Sequence, residues 1–327
     1  MTRSFIPIIH GAALERPDEA ETRLTADLIA SALARLGYDS EIITLDLDLS
    51  KLEALAARKP FVVFNLVEAL KGDAALSYLA PAALDHLKLA YTGARTTAYF
   101  LTLSKLLTKN ALSAHALPTA PWWPRGHGAP PDTRVIVKSV LEHASLGMDM
   151  NSVVPGARAA AEIRAREARF GGSFFAEAFI EGREFTVSLL ETAQGLSVFP
   201  VHEFDYAQLP KTRLTIADFS AKWDKSNPAY RLMEQPKFGL EAREPALAAR
   251  LGALSRAAWA ALDLNGYARV DFRVDETGAP FILEINVNPS LAIDGGIARM
   301  ALEGGVDYDG VIAAIIAAAR AQVQEAA

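Results

Sequence analysis

Two strand-like runs near the end of the chain, Tyr267 to Val274 and Pro280 to Val287, constrain it most. Each carries charge where a strand in a covered sheet should be apolar. Glu276-Thr277-Gly278 supplies a hairpin turn between them. Alternation places Arg269 and Asp271 on one face of the first strand, and Glu284 and Asn286 on one face of the second. Once paired, the strands gather two carboxylates, a carboxamide and a guanidinium in one place. Carboxylates left without partners there are costly, so the arrangement asks for a cation. Hard oxygen donors suit magnesium, which keeps some waters and takes its remaining ligands from nucleotide phosphates. A solvent-exposed polar hairpin face is the plain alternative.

Composition removes several classes of function. With 327 residues the chain is long enough for two or three structural units around a large core. Its net charge of −6 argues against a nucleic-acid binder. The absence of cysteine excludes disulfides, thiolate metal sites and cysteine nucleophiles, and fits a reducing compartment. Phe5 to Ile9 is too short an apolar stretch for a signal peptide. No apolar run approaches the ~20 residues that span a bilayer; the longest, Gly310 to Ala319, reads as an alanine-rich helix. A soluble cytoplasmic protein is expected, without nucleic-acid or membrane partners.

The pattern along the chain predicts an α/β fold, becoming α+β in its C-terminal parts. Ser4–Ile9, Asp39–Leu45 and Phe61–Asn65 read as strands. They alternate with helices at Asp18–Leu36, with an apolar stripe of Leu24, Leu28, Ala32 and Leu36, and at Ala74–Leu87. That alternation implies a small parallel sheet covered by helices. Ligands approach such sheets at the carboxyl ends of the strands, which makes Asn65 and Glu68 candidate substrate contacts or simply turn and cap residues. Thr102–Ala114 reads as a lysine-bearing helix, and the proline-rich stretch from Pro118 to Asp132 as a loop. A second unit follows, with strands at Val135–Ser139, Asn151–Val154 and Phe174–Phe179 and a helix at Ala157–Phe170. A third opens with a hairpin, Glu184–Leu190 and Leu196–Val201, then an irregular stretch, 203–238, long enough for a lid, and a helix at Pro245–Leu262.

The order of short motifs resembles the ATP-grasp superfamily, most closely its D-alanine–D-alanine ligase branch, over nearly the whole chain. Phe64-Asn65, Tyr91-Thr92-Gly93, Ser104-Lys105 with Thr108-Lys109, and Val137-Lys138 carry it. Ser145-Leu-Gly-Met148, Glu177-Ala-Phe-Ile180, Glu184-Phe-Thr-Val187, Arg269-Val-Asp271 and Glu284-Ile-Asn286 continue it in the same order. The resemblance implies a three-domain ATP-grasp fold: a small parallel-sheet N-terminal domain over 1–100, a central subdomain over 101–180, and a C-terminal subdomain over 181–327 with lid and metal site. It implies ATP and one or two magnesium ions, with manganese as a substitute. Lys105 and Lys138 would clamp phosphates, and Glu177, Ala178, Phe179 and Ile180 would form the hinge that reads adenine. Glu184 would accept from ribose hydroxyls, and Asp271, Glu284 and Asn286 would hold the metal, Asn286 reaching the nucleotide as well. The segment from Glu142 to Gly147 would cover the phosphates, with Ser145 acting in catalysis; Lys222 would close from the lid, and Arg269 would stabilise the acyl oxyanion. A small carboxylate and an amine are the implied substrates, and a homodimer through the N-terminal unit the implied assembly.

Departures from the branch fall around its substrates. Ile9-His-Gly-Ala-Ala stands in place of Gly-Gly-x-Ser-x-Glu, Ala144 replaces the first serine of a covering-loop pair, and Lys222-Trp223 replaces Lys-Tyr. Beyond Asn286, Asn288-Pro-Ser-Leu replaces Thr-x-Pro-Gly-Met, leaving Ser290 as a backbone donor and Asp294 near the position of an acceptor-binding serine. These differences predict an ADP-forming ligase that uses neither D-alanine as donor nor D-alanine as acceptor. A divergent D-alanine–D-alanine ligase and a non-catalytic nucleotide-binding regulatory module are the alternatives.

Overall fold

The computed structural model describes residues 3–12, 17–141, 145–209, 213–230 and 235–325. The chain opens with β1 (Phe5–Gly11), α1 (Pro17–Arg35), β2 (Asp39–Leu45), α2 (Ser50–Ala57), β3 (Phe64–Asn65) and α3 (Leu79–His86). The strands form a parallel sheet in the order β2-β1-β3. Its central strand is buried on both faces, as Ile6, Ile8 and Ile9 require. The expected strand from Phe61 is shortened to two residues, with Val63 adding one bridge to Tyr91. The stripe expected on α1 holds at Ala32, which is buried, and at Leu36, which packs against the core, but fails at Leu24, which is 66% exposed; Thr25, Ala26, Ile29 and Leu33 supply the rest of the buried face. Alanine and threonine on the buried side made that face hard to see.

Next come α4 (Thr96–Leu103) and α5 (Lys105–Ala114), separated at Ser104. Ser104 is extended and its hydroxyl accepts from Leu107 N, so the helix expected from Thr102 starts at Lys105, and α4 before it was not expected. The second sheet is built from β4 (Trp122–Trp123), β5 (Arg134–Ser139), β6 (Val153–Pro155) and, after α6 (Ala159–Phe170), β7 (Phe174–Ala178). Its order is β4-β7-β5-β6, all antiparallel. The tryptophan pair expected in a loop is therefore an edge strand.

The third sheet holds β8 (Arg183–Thr192), β9 (Gly195–Val198), β10 (His202–Glu203), β11 (Tyr267–Val274) and β12 (Pro280–Asn286), in the order β10-β8-β11-β12 with β9 also on β8. Helices α7 (Phe219–Trp223), α8 (Leu240–Arg243) and α9 (Pro245–Ala261) lie between β10 and β11, and α10 (Gly296–Glu303) and α11 (Tyr308–Glu325) follow β12. Gly278 takes a positive φ in the β11–β12 turn, where the Asp275 carboxylate accepts from Thr277 N and Ala279 N. One face of this sheet is apolar: Phe185, Val187 and Leu189 pack with Val270, Phe272 and Ile285 against Leu251 and Trp259 of α9. α11 runs back to the first sheet, where Val311, Ile312 and Ile315 share a core with Ile6, Ile8 and Leu33. The N-terminal core is thus completed by the end of the chain.

Candidate active site

The other face of the third sheet is polar because of strand alternation. Glu184, Thr186 and Ser188 on β8 lie opposite Arg273, Asp271 and Arg269 on β11. Arg269 lies opposite Asn286 and Asp271 opposite Glu284 on β12, with a bulge just beyond Asp271. The four side chains singled out in the hairpin therefore stand in two adjacent cross-strand pairs. Arg269 forks onto Asp271 with Nε–Oδ1 and Nη2–Oδ2 distances of 2.9 Å, and Thr186 Oγ1 donates to Asp271 Oδ1 at 2.7 Å. Lys105, the first residue of α5 and 5% exposed, brings Nζ to 3.6 Å from Glu284 Oε2. The carboxylates are therefore not bare, as the sequence suggested; Arg269 and Lys105 already counter them. Asn286 Oδ1 accepts from Asn288 N at 2.8 Å. The donor set of two carboxylates and one amide oxygen fits a hard divalent cation. Among the described residues no three acidic or histidine side chains cluster as a metal site.

Lys222 on α7 is half-buried above this pair. Burial and Arg269 depress its pKa, while Glu284, Asp271 and Glu184 oppose the shift. For Arg269 burial works against the charge, but Asp271, then Glu284 and Glu184, raise its pKa above the ordinary value. Lys222, expected to close over the site, thus feels the same carboxylates. Ser145 has φ 61° and donates from Oγ to Ala217 O at 2.9 Å, while Phe219 N donates to Met148 O at 3.1 Å. The segment over 145–148 and the irregular 203–238 stretch are thereby tied together. Glu142 and Ala144 lie outside the described residues.

Between the second and third sheets is a cavity of about 40 Å³, lined among others by Lys138, Glu177, Ala178, Phe179, Ile180, Glu184 and, from the 203–238 stretch, Ala217. Glu177 is 1% exposed, and its carboxylate lies 2.5 Å from Lys138 Nζ and 2.7 Å from Lys109 Nζ. Burial would raise the Glu177 pKa, but Lys109 and then Lys138 outweigh it and hold it below the ordinary value. Ala178 N and Phe179 N are committed to the carbonyls of Pro121 and Arg134, so neither amide is left to read a base. Glu177 acts through a buried side chain, in a strand whose backbone faces Trp122 and Ile136. Glu184 is also engaged, accepting from Tyr206 OH at 2.8 Å and lying 3.3 Å from Arg273.

A larger cavity of about 190 Å³ opens beyond Arg269 and Asn286, walled by Glu21, Thr22 and Thr25 of α1, by Glu68, by Lys222 and Trp223, and by Ser290. Glu68 lines it as expected of a residue beyond a strand's carboxyl end. Asn65 does not. It is 2% exposed, and its Oδ1 accepts from Val67 N, because the sharp exit from β3 needs that bond. Ser290 lines the cavity and donates to Glu21 Oε1 at 3.0 Å. Asp294 is exposed and is not part of the wall. Asp294, expected near an acceptor, thus lies apart from this cavity. Sequence reasoning missed Glu21, Thr22 and Thr25 because the stripe on α1 was misplaced at Leu24. By spacing in the sequence alone, His10-Gly11-Ala12-Ala13-Leu14-Glu15 keeps the second glycine and the glutamate of Gly-Gly-x-Ser-x-Glu; Glu15 lies outside the described residues.

Two antiparallel sheets facing each other across lysines and a carboxylate pair, beside a small parallel sheet, define an ATP-grasp protein. The family profile described as D-ala D-ala ligase C-terminus matches residues 132–317. The D-alanine--D-alanine ligase of Halorhodospira halophila is 32% identical over 301 residues, 88% of each chain. That of Chromohalobacter salexigens is 30% identical over 90% of this chain and 88% of its own. An uncharacterized protein, y4sG of Sinorhizobium fredii, is 29% identical over 89% and 86%. The crystal structure of the Bacillus anthracis D-alanine--D-alanine ligase complexed with ATP superposes with a TM-score of 0.75 at 18% identity, covering 99% of this chain and all of that one. This chain belongs to the D-alanine–D-alanine ligase family. Among the described residues no helix is long and apolar enough to cross a membrane.

Proposed function

We propose that this protein joins a small carboxylate to an amine at the expense of ATP, releasing ADP and phosphate. The observation that carries the reading is the meeting of Arg269, Asp271, Glu284 and Asn286 on one sheet face, with Lys105 and Lys222 turned toward them. In the first step a donor carboxylate oxygen bonds to the terminal phosphorus of ATP and the bond to the bridging oxygen breaks, leaving ADP and an acyl phosphate. In the second an amine attacks the acyl carbon, phosphate leaves, and the nitrogen loses a proton. Lys105 and Lys138 would neutralise and orient the phosphates, and Lys222 would close on the reacting group. Arg269 would stand by the oxyanion of the second step, fixed in place by its fork onto Asp271. Magnesium, held by Asp271, Glu284 and Asn286, would offset charge on the phosphate oxygens. The Ser145–Ala217 tie would keep loop and lid over the acyl phosphate and exclude water.

For the substrates, the reading is a donor and acceptor other than D-alanine, supported by Ala144, Trp223 and Asn288-Pro-Ser where the branch has serine, tyrosine and Thr-x-Pro-Gly. Glu15 at the motif's glutamate, with relatives named D-alanine--D-alanine ligase, favours the second reading, a divergent enzyme of that activity. A coupled assay for ADP, with pooled amino acids and short peptides in the presence and absence of D-alanine, separates the two when the product is weighed by mass spectrometry. The proposal expects ADP and a new amide from a pool lacking D-alanine. Turnover with D-alanine alone supports the second reading, and no ADP from any pool refutes a ligase.

A further inference from the structure

Lys109 takes part in no step above, yet it is among the most deeply buried charges in the chain, 1% exposed on α5 one turn beyond Lys105. Three acceptors surround its ammonium: Glu177 Oε2 at 2.7 Å, Thr119 Oγ1 at 2.8 Å and Ala120 O at 3.1 Å. The Thr119 hydroxyl gives its own proton to Ile282 O, so it turns a lone pair toward Lys109. Three acceptors for three N–H groups is the environment of a protonated lysine, although burial pulls its pKa down. The indole of Trp122 lies 5.6 Å from the same nitrogen.

Glu177 stands between Lys109 and Lys138, and only Lys138 and Glu177 line the cavity. A one-to-one pair of Glu177 with Lys138 would cancel the positive charge that the cavity offers. With Lys109 behind it, the cluster is positive by one unit. We infer that Lys109 is a positioning residue: it holds Glu177 from behind and takes up its charge, so that Lys138 faces the cavity with net positive charge available to a polyphosphate. The inference rests on the nucleotide-binding reading above and explains why an acid lies beneath a phosphate-facing lysine. Glu177 fixes Lys138 in place, and Lys109 keeps that fixing from neutralising it.

The test compares binding of ATP and of adenosine, by calorimetry, in wild type, Lys109→Met, Glu177→Gln and the double variant. Charge balance predicts that Lys109→Met weakens ATP about 10- to 100-fold, as the loss of one nearby charge at the effective dielectric of a protein site implies, and leaves adenosine within about threefold. Glu177→Gln raises the ratio of ATP to adenosine affinity, and Lys109→Met/Glu177→Gln returns that ratio to about the wild-type value. A purely structural lysine would weaken both ligands together or change only the unfolding midpoint, and either result overturns the inference. If Lys109→Met does not fold, the ratios for Glu177→Gln and the double variant decide alone. Wild-type protein that binds neither ligand overturns the ligase reading with it, whereas ATP binding with unchanged ratios overturns this inference only.

Discussion

His202 makes a test of the sheet beside the candidate site. It stands on β10 opposite Thr186, whose hydroxyl holds Asp271, so His202, Thr186, Asp271 and Glu284 form one row across the sheet. It is 7% exposed, its ring lies 4.6 Å from Phe204 and 5.8 Å from Phe238, and its Nε2 has no hydrogen-bond partner. Burial lowers its pKa from 6.5 to about 4; Asp271 and Glu203 oppose the shift, and Arg269 and Arg299 add to it. A base whose folded pKa is depressed takes up protons first in the unfolded chain. Stability therefore rises with pH between about 4 and 6.5 and is lost as the solution is acidified through that window. Linkage over these two values gives a loss of about 2 kcal/mol between pH 7.5 and pH 5. The assay is urea unfolding at both pH values for wild type and for His202→Phe, a ring that suits the surrounding phenylalanines and does not titrate. The variant should lose about 2 kcal/mol less than wild type over the same interval. Equal losses in the two proteins would refute the buried neutral histidine, because carboxylates elsewhere titrate alike in both.

Three further outcomes follow from named contacts. Arg269→Ala should lower turnover about 100- to 1000-fold with ATP affinity largely kept; a parallel loss of nucleotide binding, read by calorimetry, would reassign the arginine. Gly182 has φ 141°, and a Cβ there would sit 2.0 Å from Val274 O, so Gly182→Ala should cost on the order of 3 kcal/mol in urea unfolding. Gly239, with φ 82°, ψ 21° and open space around it, is the control and should cost about 1 kcal/mol. Thr25→Val should raise the Michaelis constant of the carboxylate or amine severalfold and leave that of ATP unchanged, because the buried Thr25 hydroxyl lines the larger cavity without a partner; Thr25→Ser should restore it.

The sequence by itself determined the elements with short-range signatures. The hairpin at β11 and β12 was legible because alternation and a glycine turn are local, and its register follows once the strands pair. The order of motifs carried the ATP-grasp fold, since charged residues interrupting apolar strands are rare enough to stand out. Tertiary structure decided which partner each charge takes. Lys109 and Glu177 lie 68 positions apart in sequence, with nothing nearby in the chain to announce their ion pair. Asn65 turned inward because the exit from β3 needed its oxygen, and Asp294 turned out to solvent. Thr25 came to line a cavity because α1 buries alanine and threonine, which carry too weak an apolar signal to set the phase of a helix. Periodicity reports which face of an element is covered. It does not report what lies across the gap, and in this protein the candidate site is assembled across gaps, between sheets and helices.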